Sequence, residues 1–106
     1  MRSRFIAPVC ILTLNGCVQT QTVAPPVTSA MIGASHGATA ATLEEGRRIF
    51  TGACTACHSA SPVEKHAPEE WRSIVAQMAP RAKLDAARQS ALLAYLAAAR
   101  ATPRAP

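Results

Sequence analysis

The 106-residue chain has few aromatic residues, and this scarcity limits the core that it can build. One Trp, one Tyr and two Phe make up 4% of the residues. The sequence also lacks a Gly-X-Y period and any apolar run of about 18 residues, which excludes a collagen-like protein and a multi-span membrane protein. Its length allows one domain at most.

Acidic residues are scarce as well. Eleven Lys and Arg residues stand against six Asp and Glu residues, which gives a formal net charge of +5. Two of the basic residues, Arg2 and Arg4, lie at the very start of the chain. No cluster of basic residues with interleaved aromatic residues occurs anywhere, so we expect no nucleic acid partner.

The first 16 residues have the layout of a secretory signal peptide, with a basic start and an apolar run from Phe5 to Leu14. Leu14-Asn-Gly-Cys17 resembles the lipobox of bacterial lipoproteins. Cleavage before Cys17 would remove Cys10, and a lipid-modified Cys17 would tether the protein to a membrane in the periplasm. An ordinary signal peptide with a free Cys17, or an uncleaved anchor, is the alternative.

The composition divides the rest of the chain into three parts. Residues 17–41 are rich in Thr, Ala, Pro, Ser and Gly and lack apolar periodicity, which predicts a flexible tether. Residues 42–101 carry the charged residues and the helical patterns of a folded domain. Residues 102–106 are predicted to form a disordered tail.

Three helices are predicted in the domain. The first begins at Thr42, which forms a capping-box pattern with Glu45, and ends near Phe50. The second begins at Pro68 and ends at Pro80; the third follows Asp85 as its N-cap and runs to about Arg100. We find no strand of useful length, so the fold class is all-α.

The second helix carries one apolar stripe, because four apolar residues recur in it at positions i, i+3, i+4 and i+7. These residues are Trp71, Ile74, Val75 and Met78. The larger apolar side chains of the whole domain are nevertheless few for three helices. Domains this small usually need disulfides, a metal or a cofactor to be stable.

The sequence Cys54-Thr-Ala-Cys57-His58 supplies such a group, because C-x-x-C-H is the attachment signature of c-type haem. The two thiols add to the haem vinyl groups as thioethers, and the adjacent His58 supplies an imidazole nitrogen as the proximal iron ligand. Three readings compete: a thioredoxin-like redox motif, a Cys54–Cys57 disulfide, and a zinc site that adds His66 to the motif.

Residues 43–100 resemble a small class I cytochrome c domain. Gly46, Ile49 and Phe50 are similar to the N-terminal helix of that family, and Leu92-Leu-Ala-Tyr95-Leu96 is similar to its C-terminal helix. The resemblance implies a minimal cytochrome c fold of about three helices around one covalent haem, in which the two helices cross at Gly46. The separation between His58 and Met78 is shorter than in most members.

The resemblance also implies a sixth iron ligand, for which Met78 is the first candidate. A thioether favours Fe(II) and raises the reduction potential. His66 is the alternative ligand, and an open distal position is the third possibility. Trp71 is expected to pack against the porphyrin. Four arginines are candidates for the haem propionates: Arg47, Arg48, Arg72 and Arg81.

The expected function is electron transfer by a membrane-tethered monohaem protein between periplasmic redox partners. No Ser/His/Asp arrangement or phosphate-binding loop suggests an enzyme. Two other classes stay open: a haem-based enzyme subunit or ligand sensor with an open distal position, and a non-haem lipoprotein that uses its C-x-x-C for a disulfide or zinc.

Overall fold

The computed structural model describes residues 23–55 and 61–103. It is mostly helical, with 72% helix, and contains no strand in the described ranges, which confirms the all-α fold class. None of the described helices is long and apolar enough to cross a membrane. The helices are α1 (Ser29–Ala34), α2 (Ala40–Thr51), α3 (Pro68–Ala82) and α4 (Ala86–Ala101), with 3₁₀ turns at Ala53–Thr55 and Val63–Lys65.

Helix α2 begins two residues earlier than predicted. The N-cap is Thr39, whose hydroxyl oxygen accepts a hydrogen bond from the Thr42 backbone N–H at 3.1 Å. The predicted capping box at Thr42 and Glu45 is therefore wrong, because Thr42 already lies inside the helix. Glu45 instead forms an ion pair with Arg48, one turn further along α2.

Helix α3 starts at Pro68, as predicted, because proline at the first position removes an N–H that would have no partner there. Its predicted end at Pro80 is wrong, since the helix continues to Ala82. Lys83 then stops it in the left-handed conformation, with φ 55° and ψ 44°. The Leu84 N–H donates back to the Ala79 carbonyl oxygen at 2.9 Å, which closes the helix end.

Helix α4 follows Asp85, whose carboxylate accepts from the Arg88 N–H at 2.8 Å, and this confirms the predicted N-cap. Helix α4 packs closely on α2 at Gly46. A Cβ atom on Gly46 would overlap the Ala91 carbonyl oxygen and lie 2.6 Å from the Tyr95 Cβ atom. The predicted crossing of the two helices at Gly46 is confirmed, and Tyr95 is the side chain that packs there.

Most of the larger apolar residues of the predicted domain are buried in the core. Three of them, Ile74, Met78 and Leu93, are only half-buried. The fully buried ones are Leu43, Ile49, Phe50, Val63, Trp71, Val75, Leu84, Leu92, Tyr95 and Leu96.

The segment before α2 packs on the domain where a flexible tether was expected. We call residues 23–38 the strap. Its helix α1 places Met31 in the core with 2% of its surface exposed. The Tyr95 hydroxyl donates to the Pro25 carbonyl oxygen at 2.6 Å, and Arg47 donates to the same oxygen at 3.2 Å. The remainder of the expected tether, residues 17–22, lies outside the described residues.

Candidate functional site

The apolar stripe of α3 faces a cavity enclosed by the other helices. All four stripe residues line it, and α2 and α4 supply the opposite wall. The cavity has a volume of about 180 Å³ and is open to solvent on one side. The lining residues are Phe50, Cys54, Ser61, His66, Trp71, Ile74, Val75, Met78, Leu84, Leu92 and Leu96.

Ile74 and Met78 are half-buried because they border this cavity. Both belong to the stripe that the sequence predicted as core, yet their inner side faces open space. Apolar side chains that line a concave site are suited to bury the surface of an apolar ligand. The cavity therefore divides the predicted core: part of it packs on protein, and part of it is arranged around a space.

Cys54 brings the predicted attachment motif to the cavity. It lies in the 3₁₀ turn that follows α2, and its half-buried side chain lines the cavity wall. Burial raises the pKa of the Cys54 thiol because the charged thiolate loses its hydration. The thiol is thus held in its neutral form at neutral pH. Cys57 and His58 lie outside the described residues, as does the candidate lipidation site Cys17.

His66 lies at the cavity in the loop before α3, held by two side chains. Its Nδ1 atom is 3.1 Å from a carboxylate oxygen of Glu70, one turn into α3. A neutral His66 ring paired with an ionised carboxylate, which only accepts hydrogen bonds, would donate from Nδ1 and keep the Nε2 lone pair. The Arg100 Nε donates to the His66 carbonyl oxygen at 3.0 Å and fixes the loop to α4.

The sequence did not predict this support of His66. The only available signal was the i, i+4 spacing of His66 and Glu70, which is common on helices and favours no particular chemistry. A carboxylate on the second ring nitrogen is nevertheless the usual arrangement around a metal-binding histidine. The structure thus strengthens His66 as a candidate iron ligand beside Met78.

Trp71 forms part of the cavity wall with 6% of its surface exposed. Its indole N–H donates to the Val63 carbonyl oxygen at 2.9 Å, so the buried polar atom is satisfied. The Phe50 ring meets Trp71 edge-on at 5.8 Å between centroids, and the His66 ring does so at 4.9 Å. The indole is therefore fixed in one orientation.

Two of the four arginines considered for the propionates have other partners. Arg47 donates to the Ala24 and Pro25 carbonyl oxygens, and Arg48 pairs with Glu45. Arg72 and Arg81 form no ion pair within the part of the chain that the structure describes.

The residues present fit a haem. Thiol, thioether and imidazole groups surround one apolar cavity, and soft sulfur and nitrogen donors are the ligands that haem iron takes in proteins. The cavity volume of about 180 Å³ is below the range of about 300–1,000 Å³ typical of cofactor sites, so a haem would also need the open mouth of the cavity. Over residues 23–55 and 61–103, no three His, Cys, Asp or Glu residues converge on a metal position. A zinc site would therefore need residues outside those ranges.

Comparison of the chain with protein-family models, with curated proteins and with solved structures finds no match.

Proposed function

We propose that the protein is a monohaem c-type electron-transfer protein. The observation that carries this proposal is one apolar cavity that brings together the first cysteine of the C-x-x-C-H motif, both candidate sixth ligands and the complete α3 stripe. These residues come from separate parts of the sequence. A chain that used its C-x-x-C only for a disulfide would have no need of such a cavity beside Cys54.

Cys54 and Cys57 would hold the haem as thioethers, and His58 would bind the iron from the proximal side. When bound, the haem supplies one-electron chemistry between Fe(II) and Fe(III). Trp71 and Phe50 exclude water from the site, because both are buried and both line the cavity. Exclusion of water disfavours the additional positive charge of Fe(III), which adds to the effect of a thioether ligand.

The sixth ligand separates a carrier from a catalyst or sensor. Met78 is our first assignment because it lies on the α3 stripe and lines the cavity. His66 lines the same cavity and has its Nδ1 proton directed to Glu70, which leaves Nε2 for a metal. Ligation by either residue would fill the distal position and favour electron transfer. An open distal position would favour the enzyme or sensor.

The proposed site of action is a membrane surface in the periplasm, where the partners would be other redox proteins. A lipid on Cys17 would be the anchor. Because the strap packs on the domain from Ala24 onward, six residues connect it to Cys17. They reach at most about 20 Å, so the domain would stay near the membrane.

A haem stain after denaturing electrophoresis tests the main proposal. The full chain, expressed with cytochrome maturation factors, should retain haem, and Cys54→Ala/Cys57→Ala should lose it. Cys17→Ser is the matched control, since it removes the proposed lipid and should keep the haem. Absence of covalent haem in the unchanged protein would contradict the proposal and leave the C-x-x-C lipoprotein.

Absorption spectroscopy of Met78→Ala and His66→Ala distinguishes the ligands. Loss of the weak long-wavelength band of thioether-bound Fe(III) in Met78→Ala alone assigns Met78. Gln77→Ala, an exposed neighbour on α3, is the control. If the reduced unchanged protein binds carbon monoxide rapidly, its distal position is open, and the carrier proposal gives way to the enzyme or sensor.

A further inference from the structure

A second concave surface lies between α3 and α4, on the outer side of Trp71. It has a volume of about 280 Å³. Its floor is apolar and includes Trp71, Leu93, Ala94 and Leu96, while Arg72 and Arg100 stand at its edges. We call this surface the arginine groove. Both arginines are exposed, and Leu93 and Ala94 are half-buried.

The two arginines have no carboxylate partner in the described part of the chain. The ion pairs found there involve Arg48, Arg88 and His66. Arg100 donates its Nε to the His66 carbonyl oxygen, which leaves its terminal N–H groups available to a ligand. Two guanidinium groups beside an apolar floor make the groove complementary to a carboxylate-bearing apolar surface.

The groove is connected to the cavity through Trp71. The indole lines both spaces, so the same side chain forms a wall of the candidate cofactor site and the floor of the groove. Arg100 adds a second link, because it holds the loop that carries His66. A molecule seated in the groove would thus lie one aromatic side chain away from the candidate cofactor site.

We propose that the arginine groove is the docking site for the acidic face of a redox partner protein. This inference rests on the proposed electron-transfer function. An apolar centre with charged groups at its rim is the usual arrangement of a protein interface. Two arginines are too few for nucleic acid, which needs a longer basic surface. The small area suits a short-lived complex, as expected between redox proteins.

Binding of an acidic one-electron donor, plant-type ferredoxin, tests the proposal on the full haem-loaded chain. The iron–sulfur centre of ferredoxin is paramagnetic, so it should broaden the amide signals nearest the docking site in nuclear magnetic resonance spectra. We expect broadening first at Ala94, Ala97 and Arg72. Broadening confined to a different surface, or no saturable binding, would overturn the proposal.

Charge variants give the quantitative test. Arg72→Gln/Arg100→Gln should weaken ferredoxin binding about tenfold and flatten its salt dependence. Arg48→Gln/Arg88→Gln is the matched control, because it removes two exposed arginines that lie outside the groove. Arg72→Gln alone leaves the His66 loop intact and should weaken binding about threefold. Equal losses in the groove and control variants would contradict a specific site.

Three further outcomes separate the possible failures. The broadening comes from the ferredoxin centre and does not need haem. If the chain holds no haem but still binds ferredoxin in the groove, the electron-transfer function is refuted and the docking site is not. If the haem-loaded chain does not bind ferredoxin, the docking site is refuted and the electron-transfer function is not. Binding through the same arginines to phosphatidylglycerol vesicles, but not to ferredoxin, would make the membrane the occupant and the proposal wrong.

Discussion

At the scale of single residues, Gly46 sets how closely α2 and α4 approach. Its missing side chain allows the Ala91 carbonyl oxygen and the Tyr95 side chain to occupy the space that a Cβ atom would take. The contact involves backbone on one side, so it cannot be relieved by rotation of a flexible side chain. Gly46 therefore fixes the crossing of the two helices that supply the cavity wall opposite α3.

Gly46→Ala should destabilise the protein by about 1–3 kcal/mol, the usual cost of forcing an extra group into a packed contact. Urea unfolding followed by circular dichroism measures the free energy of unfolding. Gly33→Ala is the control: apart from its chain neighbours and its own helix backbone, no described atom lies within 4 Å of the position that a Cβ atom would take, and alanine should stabilise helix α1 by about 0.5–1 kcal/mol. Equal unfolding midpoints for the two variants would show that the crossing tolerates a wider spacing.

The family resemblance predicted the helix crossing at Gly46, but the local sequence misplaced the cap of the same helix. The local sequence allows two N-caps for α2: Thr42 with Glu45, or Thr39 with Thr42. The packing of the strap selects Thr39. The loop at Ser35 positions the chain for entry at Thr39, since the Ser35 hydroxyl donates to the Ala38 carbonyl oxygen at 3.2 Å. Caps chosen by tertiary packing are not visible in local sequence.

At the scale of elements, the strap is the part that composition predicted least well. Its Pro-, Thr- and Ala-rich sequence lacks periodicity because only one of its larger apolar side chains, Met31, is buried. Its backbone carbonyl groups also attach it, since they accept hydrogen bonds from Arg47 and Tyr95. Any sequence can supply carbonyl oxygens, so no side-chain pattern marks such a segment as packed.

Tyr95→Phe should loosen the strap while leaving α4 in place. The variant loses the 2.6 Å hydrogen bond to the Pro25 carbonyl oxygen, worth about 0.5–1.5 kcal/mol. Hydrogen exchange measured by mass spectrometry should then become faster across α1 and unchanged in the centre of α4. Arg47→Gln, which loses its bonds to Ala24 and Pro25, should give the same pattern. Exchange that is already complete across α1 in the unchanged protein would contradict a packed strap.

Helices α3 and α4 were better predicted, since their caps and stripes lie within the elements themselves. Pro68 and Asp85 are local signals, and both stand where the helices begin. The prediction that α3 ends at Pro80 is wrong, because a proline in the last turn does not stop the helix. In the last turn Pro80 removes one hydrogen bond whose acceptor is near solvent, and Lys83 supplies the stop instead.

At the scale of the whole molecule, the small core is arranged around a cavity. The α3 stripe, Phe50 and the α4 leucines enclose a space that protein atoms do not fill. The sequence predicted the shortage of core and the motif that would supply the missing group. It could not show that Cys54, His66 and Met78 line one cavity, because their approach depends on how α2, α3 and α4 pack together.

If the proposed haem occupies this cavity, its loss should cost a large part of the protein's stability. A void of about 180 Å³ lined by apolar side chains costs up to about 4 kcal/mol, against a total of about 5–15 kcal/mol for a small domain. Cys54→Ala/Cys57→Ala should unfold at a much lower urea concentration than the haem-loaded chain. Haem-loaded Cys17→Ser should unfold at the same urea concentration as the haem-loaded unchanged chain. If the cysteine variant unfolds at the same midpoint, the four helices support themselves without the cofactor, and the cavity is a binding site that the fold does not depend on.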